Sequence, residues 1–366
     1  VALFADDGYV PGRSRRSGRI GSWLIGAAVF GTFLLGLVPA PYVIEQPGPV
    51  YDTLGDVSIG GEETSMIEIP EQQTYPTDGS LSLLTVRTHG SPDALPNWFE
   101  VVTSWFDPSR AVKPVNEVYP PGFSVEDSNE SGRIQMENSQ KNAVAAALTY
   151  LGHELPSRIV VAGFSDDSPS EGILENGDQI ILVDGEPVRD VDALREVIAD
   201  VGSGNPLELT IVRDVETKEV TVTPEASPDD EKTPVIGVFL SIEYDFPFDV
   251  DIQLENVGGP SGGQMFALGI IDKLTPGELT GGEEIAGTGT IDADGDVGQI
   301  GGIRQKMHGA QQAGANWFLA PVENCDEVVG NIPDGLTVVA VDTLKDSVAA
   351  LEAIASGDTA ALPSCS

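Results

Sequence analysis

The sequence has 366 residues, 40% of them apolar, with 42 glycines and 26 prolines, a globular composition and chain enough for about two or three domains. Its 58 acidic residues against 19 basic ones give a formal charge of −39, a field that repels nucleic acid and excludes it as a partner. Three histidines and two cysteines leave no ligand set for zinc, so neither a metal nor another cofactor is expected.

In chain order, the first feature is residues 20–38 (IGSWLIGAAVFGTFLLGLV), 19 residues without a charge. That length crosses most of a hydrocarbon core of ~30 Å as one helix. Arg13, Arg15, Arg16 and Arg19 precede it and no Lys or Arg follows before Arg87, a bias that places residues 1–19 in the cytoplasm and everything after about residue 40 outside. The competing reading is a cleaved signal peptide, because PAPY follows the run. An uncleaved span is favoured because the apolar core is long for a signal.

Residues 41–124 read as a β-rich extracytoplasmic segment, with alternation in SLSLLTVRT, where Leu81 and Leu83 share a face. Within it, 96–106 has helical spacing, with Trp98 and Trp105 as core or membrane-facing anchors, the core being favoured. Alanine content and the spacing of Met136, Ala143, Ala147 and Tyr150 predict a helix over 131–150. From Ser157 the pattern becomes strand, polar turn, strand, helix and two strands. The helix 192–201 sets Leu194, Val197, Ile198 and Val201 on one face and stops at Gly202.

The run ENGDQIILVDGEPVRDVDALREVI, with Gly177-Asp178 closing a loop, Ile180 to Val183 as buried strand and Asp184-Gly185 as turn, resembles a PDZ domain over 125–225. The resemblance implies capture of an extended peptide as an added strand. LGHEL, Leu151 to Leu155, is the candidate for its carboxylate-binding loop. A charged, proline-bounded linker at 228–234 separates this part from residues 235–360.

Two motifs carry chemistry in that last stretch. Ser261 lies in GGPSGG, ahead of Met265, Leu268 and Ile271 at helical spacing, so a serine sits where a glycine-rich loop becomes a helix. It is either a nucleophile beside unpaired N–H groups or a plain helix cap. Lys306, in GGIRQKMHGA, falls on the apolar face formed by Ile303, Met307 and Ala310. Its amine either snorkels to an edge or is buried, and burial would make it neutral and able to take a serine proton.

In this order the two motifs resemble the Lon proteolytic domain, which uses a Ser-Lys dyad. The matches are Gly259-Pro260-Ser261-Gly262-Gly263 and Gly301-Gly302-Ile303-Arg304-Gln305-Lys306, with Ala286-Gly287-Thr288-Gly289-Thr290-Ile291 between them. By resemblance Ser261 is the nucleophile, Lys306 its base, Thr288 the support of the amine, and Gly262 lies beside the oxyanion-binding N–H groups. Where the family carries a glutamate two residues after the threonine, this chain has Thr290. The G-x-x-x-x-G-K-[ST] run of the ATPase module is absent from these residues. The combination resembles the membrane-anchored PDZ-Lon proteases of Gram-positive bacteria.

His308, two residues from Lys306, points to another helix face and does not build a Ser-His-Asp triad. Asp292, Asp294 and Asp296 lack calcium-loop spacing and read as a hairpin turn. Cys325 and Cys365 either pair, as in an exported domain, or stay as buried thiols.

The expected fold is thus α+β and multidomain: one N-terminal transmembrane helix, a PDZ-like β-rich domain and a C-terminal α/β Lon-type domain. The expected function is ATP-independent serine endopeptidase action on flexible or misfolded extracytoplasmic proteins, with the PDZ-like domain binding substrate or regulating access. The alternative is a catalytically silent, membrane-tethered peptide-binding scaffold. Expected partners are polypeptide substrates, the membrane through the helix, and, as the resemblance implies, further copies of the chain. The expected location is the cell membrane, single-pass, with the catalytic domain outside.

Overall fold

The computed structural model describes residues 23–24, 26, 31, 35–119, 125–165, 168–188, 191–227 and 233–365. The chain divides into two units, Val1–Gln46 with Arg87–Val125, and Pro47–Val86 with Glu126–Ser366. In the first, residues 42–45 pair antiparallel with the strand Ala111–Pro114, Tyr42 opposite Pro114 and Glu45 opposite Ala111. The helix Trp98–Ser104 opens with a capping box, in which Asn97 and Glu100 each accept the other's backbone N–H. Val101 is buried with Ala40 and Ile44, and Trp98 packs on them. Trp105 is 57% exposed, so only one of the two expected tryptophan anchors is in a core.

The spanning helix expected over 20–38 is not supported. Among the described residues no helix is long and apolar enough to cross a membrane. Most of 20–38, like the expected cytoplasmic segment 1–19, lies outside the described residues.

In the second unit the strand Glu284–Gly287 is central. It runs parallel to Trp317–Pro321 on one edge and to Ser80–His89 on the other, with Glu284 opposite Ser80 and Gly287 opposite Leu83. Thr337–Val341 extends the sheet beyond Trp317–Pro321, again in parallel. Alternation along these strands sorts side chains to two faces. Leu83, Ile285 and Leu319 join a core with Phe266 and Leu268 of the helix Gly263–Leu274, Ala143 and Ala147 of the helix Val125–Tyr150, and Leu351 of the helix Leu344–Ser356. Leu84, Ala286, Phe318 and Ala320 join the opposite core with Ile303, Met307 and Ala310 of the helix Ile303–Ala313. Both faces are covered, as a parallel sheet demands.

Residues 80–83 pair with Glu284–Gly287 in this sheet, and Ala143 and Ala147 of the helix Val125–Tyr150 pack into its core. The PDZ-like sheet is an insertion between that helix and Asp245. Its strands lie in the order Glu216–Val222, Leu207–Arg213, Gln179–Val183, Ser157–Phe164, Val238–Tyr244. Its first and last residues adjoin, since Ser157 pairs with Tyr244 and Asp245 N donates to Pro156 O at 3.0 Å. Adjacent ends are what lets a domain sit inside another without breaking it. Asp184 and Gly185, at φ 48° and 82°, make the tight turn between Gln179–Val183 and its partner Glu186–Pro187. Leu194 and Ile198 of the helix Val191–Val201 close the core over Val161, Ile180 and Leu209.

Leu151 to Leu155, expected as a carboxylate-binding loop, instead ends the helix Val125–Tyr150. Gly152 is left-handed at φ 89° and His153 N donates to Leu148 O at 3.0 Å, while Leu155 packs on the catalytic core.

Cys325 and Cys365 form a disulfide, with Cα atoms 5.0 Å apart. Ala340 N donates to Pro363 O at 3.0 Å, so the bond holds the final residues beside the strand Thr337–Val341. Cys365→Ser is expected to lower the unfolding free energy by about 2–4 kcal/mol in urea titrations. Dithiothreitol should bring the wild-type midpoint down to that of the variant and leave the variant unmoved.

Candidate active site

The nucleophile turn grows out of a glycine-rich run. The helix Gly263–Leu274 begins at Gly262 as its N-cap, and no side chain caps it. The Ser261 hydroxyl is therefore not spent on capping, which removes the plainer of its two readings. Half-buried Ser261 sits at the mouth of that helix, where the positive end of the helix dipole lies.

Lys306 arrives from the other face of the sheet. Gly302, in the left-handed conformation at φ 72°, turns the chain into the helix Ile303–Ala313, and Lys306 occupies its first turn, its N–H donating to Gly302 O at 3.0 Å. With Ile303, Met307 and Ala310 it lies on the buried side and is only 2% exposed. It does not snorkel.

Thr288 stands between them, the first residue beyond the strand Glu284–Gly287 and 1% exposed. Lys306 Nζ lies 2.6 Å from Ser261 Oγ and 2.8 Å from Thr288 Oγ1. Thr288 Oγ1 in turn donates to the Ser261 carbonyl at 2.9 Å. Serine and lysine thus come from helices on opposite faces and meet at the carboxyl end of a parallel strand, where crevices form in open α/β sheets.

Electrostatics then sets the chemistry. Burial pulls the Lys306 amine down to about 7, because the low-polarity surroundings penalise its charged form. When protonated, Nζ donates to Ser261 Oγ; when neutral, its lone pair accepts the serine proton and Oγ becomes nucleophilic. Thr288 Oγ1 accepts one N–H of the amine and so helps aim the lone pair at Ser261.

The N–H groups of Ser261 and Gly262 have no backbone acceptor among the described residues and border the nucleophile. Gly289, which the sequence did not single out, donates its N–H to the Ser261 carbonyl at 3.1 Å. Its position within the AGTGT run was the available signal. His308 does not enter the hydrogen bonds of the Ser261–Lys306 pair. The aspartate run is a hairpin, Thr290 opposite Gly298 and Ile291 opposite Val297, with Gly295 at φ 92° in its turn.

Two stretches of the chain are similar to known proteins. Residues 256–353 match the family model of the Lon protease (S16) C-terminal proteolytic domain, and residues 122–223 match that of the PDZ domain. Lon protease 2 of Herpetosiphon aurantiacus is 38% identical over 91 residues, 24% of this chain and 11% of that protein. Lon protease 2 of Bacillus subtilis is 33% identical over 105 residues, 27% of this chain and 18% of that protein. A probable periplasmic serine endoprotease DegP-like of Halomonas elongata is 36% identical over 83 residues, 22% of this chain and 17% of that protein. Each of these matches spans less than a fifth of the relative's own length. The chain carries a region that matches the PDZ domain and one that matches the S16 proteolytic domain.

A buried base of this kind gives two expected outcomes. kcat/KM rises with pH through a midpoint of about 7 as Lys306 loses its proton, and stays level above it. The unfolded chain keeps that proton up to about 10.5, so between the two values the unfolded state binds more protons and stability climbs with pH. Lys306→Met should therefore melt above wild type below pH about 7, with the gap closing toward pH about 10.5, read by thermal denaturation across pH.

Proposed function

We propose that this chain is an ATP-independent serine endopeptidase that cleaves flexible or misfolded polypeptides on the extracytoplasmic side, its PDZ domain binding substrate or regulating access. The observation that carries the reading is the 2.6 Å approach of a buried, neutralisable Lys306 amine to Ser261 Oγ. Lys306 Nζ takes the hydroxyl proton as Oγ bonds to the scissile carbonyl carbon. The Ser261 and Gly262 N–H groups hold the resulting oxyanion. As the tetrahedral species collapses, the C–N bond breaks and Nζ returns the proton to the leaving amine, which leaves an ester on Ser261. Water then attacks that ester, giving its proton to Nζ, and the proton ends on Ser261 Oγ as the acid product departs.

Without energy-driven unfolding, a substrate must offer an extended segment of its own, which selects flexible or damaged proteins. The extracytoplasmic setting is supported by the Cys325–Cys365 bond, which persists in oxidising compartments.

The full chain is expected to hydrolyse casein at the same rate with and without ATP and magnesium. Ser261→Ala and Lys306→Ala should each abolish cleavage. Equal casein hydrolysis by wild type and Ser261→Ala would overturn the mechanism.

A further inference from the structure

The peptide planes on either side of Ser261 decide where its oxyanion-binding N–H groups point. A trans peptide is planar, so its C=O and N–H point in opposite directions, and fixing one aims the other. The plane after Ser261 is fixed from inside the site: its carbonyl accepts from Thr288 Oγ1 at 2.9 Å and from Gly289 N at 3.1 Å. This orients the Gly262 N–H. The plane before Ser261 is fixed from outside the site. Its carbonyl, that of Pro260, accepts from Ser139 Oγ at 2.8 Å and, at 3.3 Å, from Gly263 N.

Ser139 lies on the helix Val125–Tyr150, 3% exposed, and its only placed role is this bond. The same helix grips the turn one residue earlier, where Gly259 N donates to Gly132 O at 2.9 Å. The fit is close: a Cβ on Gly263 would stand 2.8 Å from Ser139 Oγ and 2.9 Å from Ile291 Cγ2. A neighbouring face of the helix is tied to the inserted PDZ sheet, with Tyr244 OH donating to Asn142 Oδ1 at 3.2 Å and Ser241 Oγ to Asn138 Oδ1 at 3.4 Å.

We propose that Ser139 is a positioning residue for the peptidase reaction: by holding the Pro260 carbonyl, its hydroxyl aims the Ser261 N–H at the oxyanion of the tetrahedral intermediates. This rests on the proteolytic reading above. Ser139 touches neither substrate nor the Ser261–Lys306 pair; it acts through one peptide plane. The helix that carries it also leads into the PDZ domain, so the turn is buttressed by the element on which that domain is mounted.

Ser139→Ala keeps the side-chain volume nearly unchanged and leaves the Pro260 carbonyl one donor, Gly263 N, so the fold is retained. It is expected to lower kcat on casein on the order of 10- to 100-fold with KM unchanged, the signature of an interaction made in the transition state. Labelling of Ser261 by a fluorophosphonate should slow by a similar factor, because its phosphoryl oxygen occupies the same oxyanion position. The pH midpoint of about 7 should stay in place, since Lys306 is untouched. Asn138→Ala, which removes only the neighbouring contact to Ser241, should stay within about twofold of wild type in kcat. Wild-type kcat in Ser139→Ala, equal losses in Ser139→Ala and Asn138→Ala, or a raised KM at unchanged kcat would each overturn the inference. Failure of the proteolytic reading looks different: Ser261→Ala would then cleave casein as fast as wild type.

Discussion

The site depends on keeping one amine dry. Lys306 is buried because its helix face is apolar and because the strand end it approaches carries no carboxylate to pair with it; burial is the sole cause of its lowered pKa. A carboxylate at hydrogen-bond distance would hold the amine protonated and remove its capacity as a base. Hydroxyls do not. Ser261 and Thr288 satisfy the amine by hydrogen bonding without fixing its charge, so the group can titrate near neutrality. The cost of burying a chargeable group is met by close packing on both sheet faces, where the strands around Thr288 are fully covered.

Such packing brings three separate parts of the chain within bonding distance. Gly287 ends the central strand and cannot be larger, since a Cβ there would lie 2.5 Å from Met265 Sδ. Ser261 and Lys306 then reach past the strand end from opposite sides. Because the two helices start at the same end of the sheet, their first turns converge, and the lysine side chain spans what backbone cannot.

Short windows of sequence show a serine between glycines ahead of a helical run and a lysine on an apolar helix face, but each keeps two readings there, and only the resemblance joined them, with Thr288, into one site. The turn at Asp184-Gly185 and the helix after it were legible from a short window. Illegible was whatever long-range pairing decides. Nothing near Ser80 shows that it will pair with Glu284, and the alanines of the helix Val125–Tyr150 fit a PDZ neighbour as well as the catalytic core they join. The charge-free run at 20–38 meets the length rule for a span, but among the described residues no helix is long and apolar enough to cross a membrane. Ser139 carried no signal at all. A serine in a polar helical stretch becomes informative only when Pro260 is found beside it.

An inserted domain changes what the surrounding fold must do. The PDZ sheet follows the helix Val125–Tyr150, which touches the Ser261 turn, and the chain returns at Asp245, ahead of that turn. Its ends are paired, Ser157 with Tyr244, so the insertion imposes little strain at rest. The strand Val238–Tyr244 is an edge of the PDZ sheet. An edge strand offers unpaired backbone groups to an extended peptide. The strand and the Pro260 carbonyl share one neighbour, the helix Val125–Tyr150. One of its faces bears Ser139 and Gly132 against the nucleophile turn, and a neighbouring one bears Asn138 and Asn142 against the strand. A domain inserted elsewhere in the chain would lack this link through one helix to the Ser261 turn.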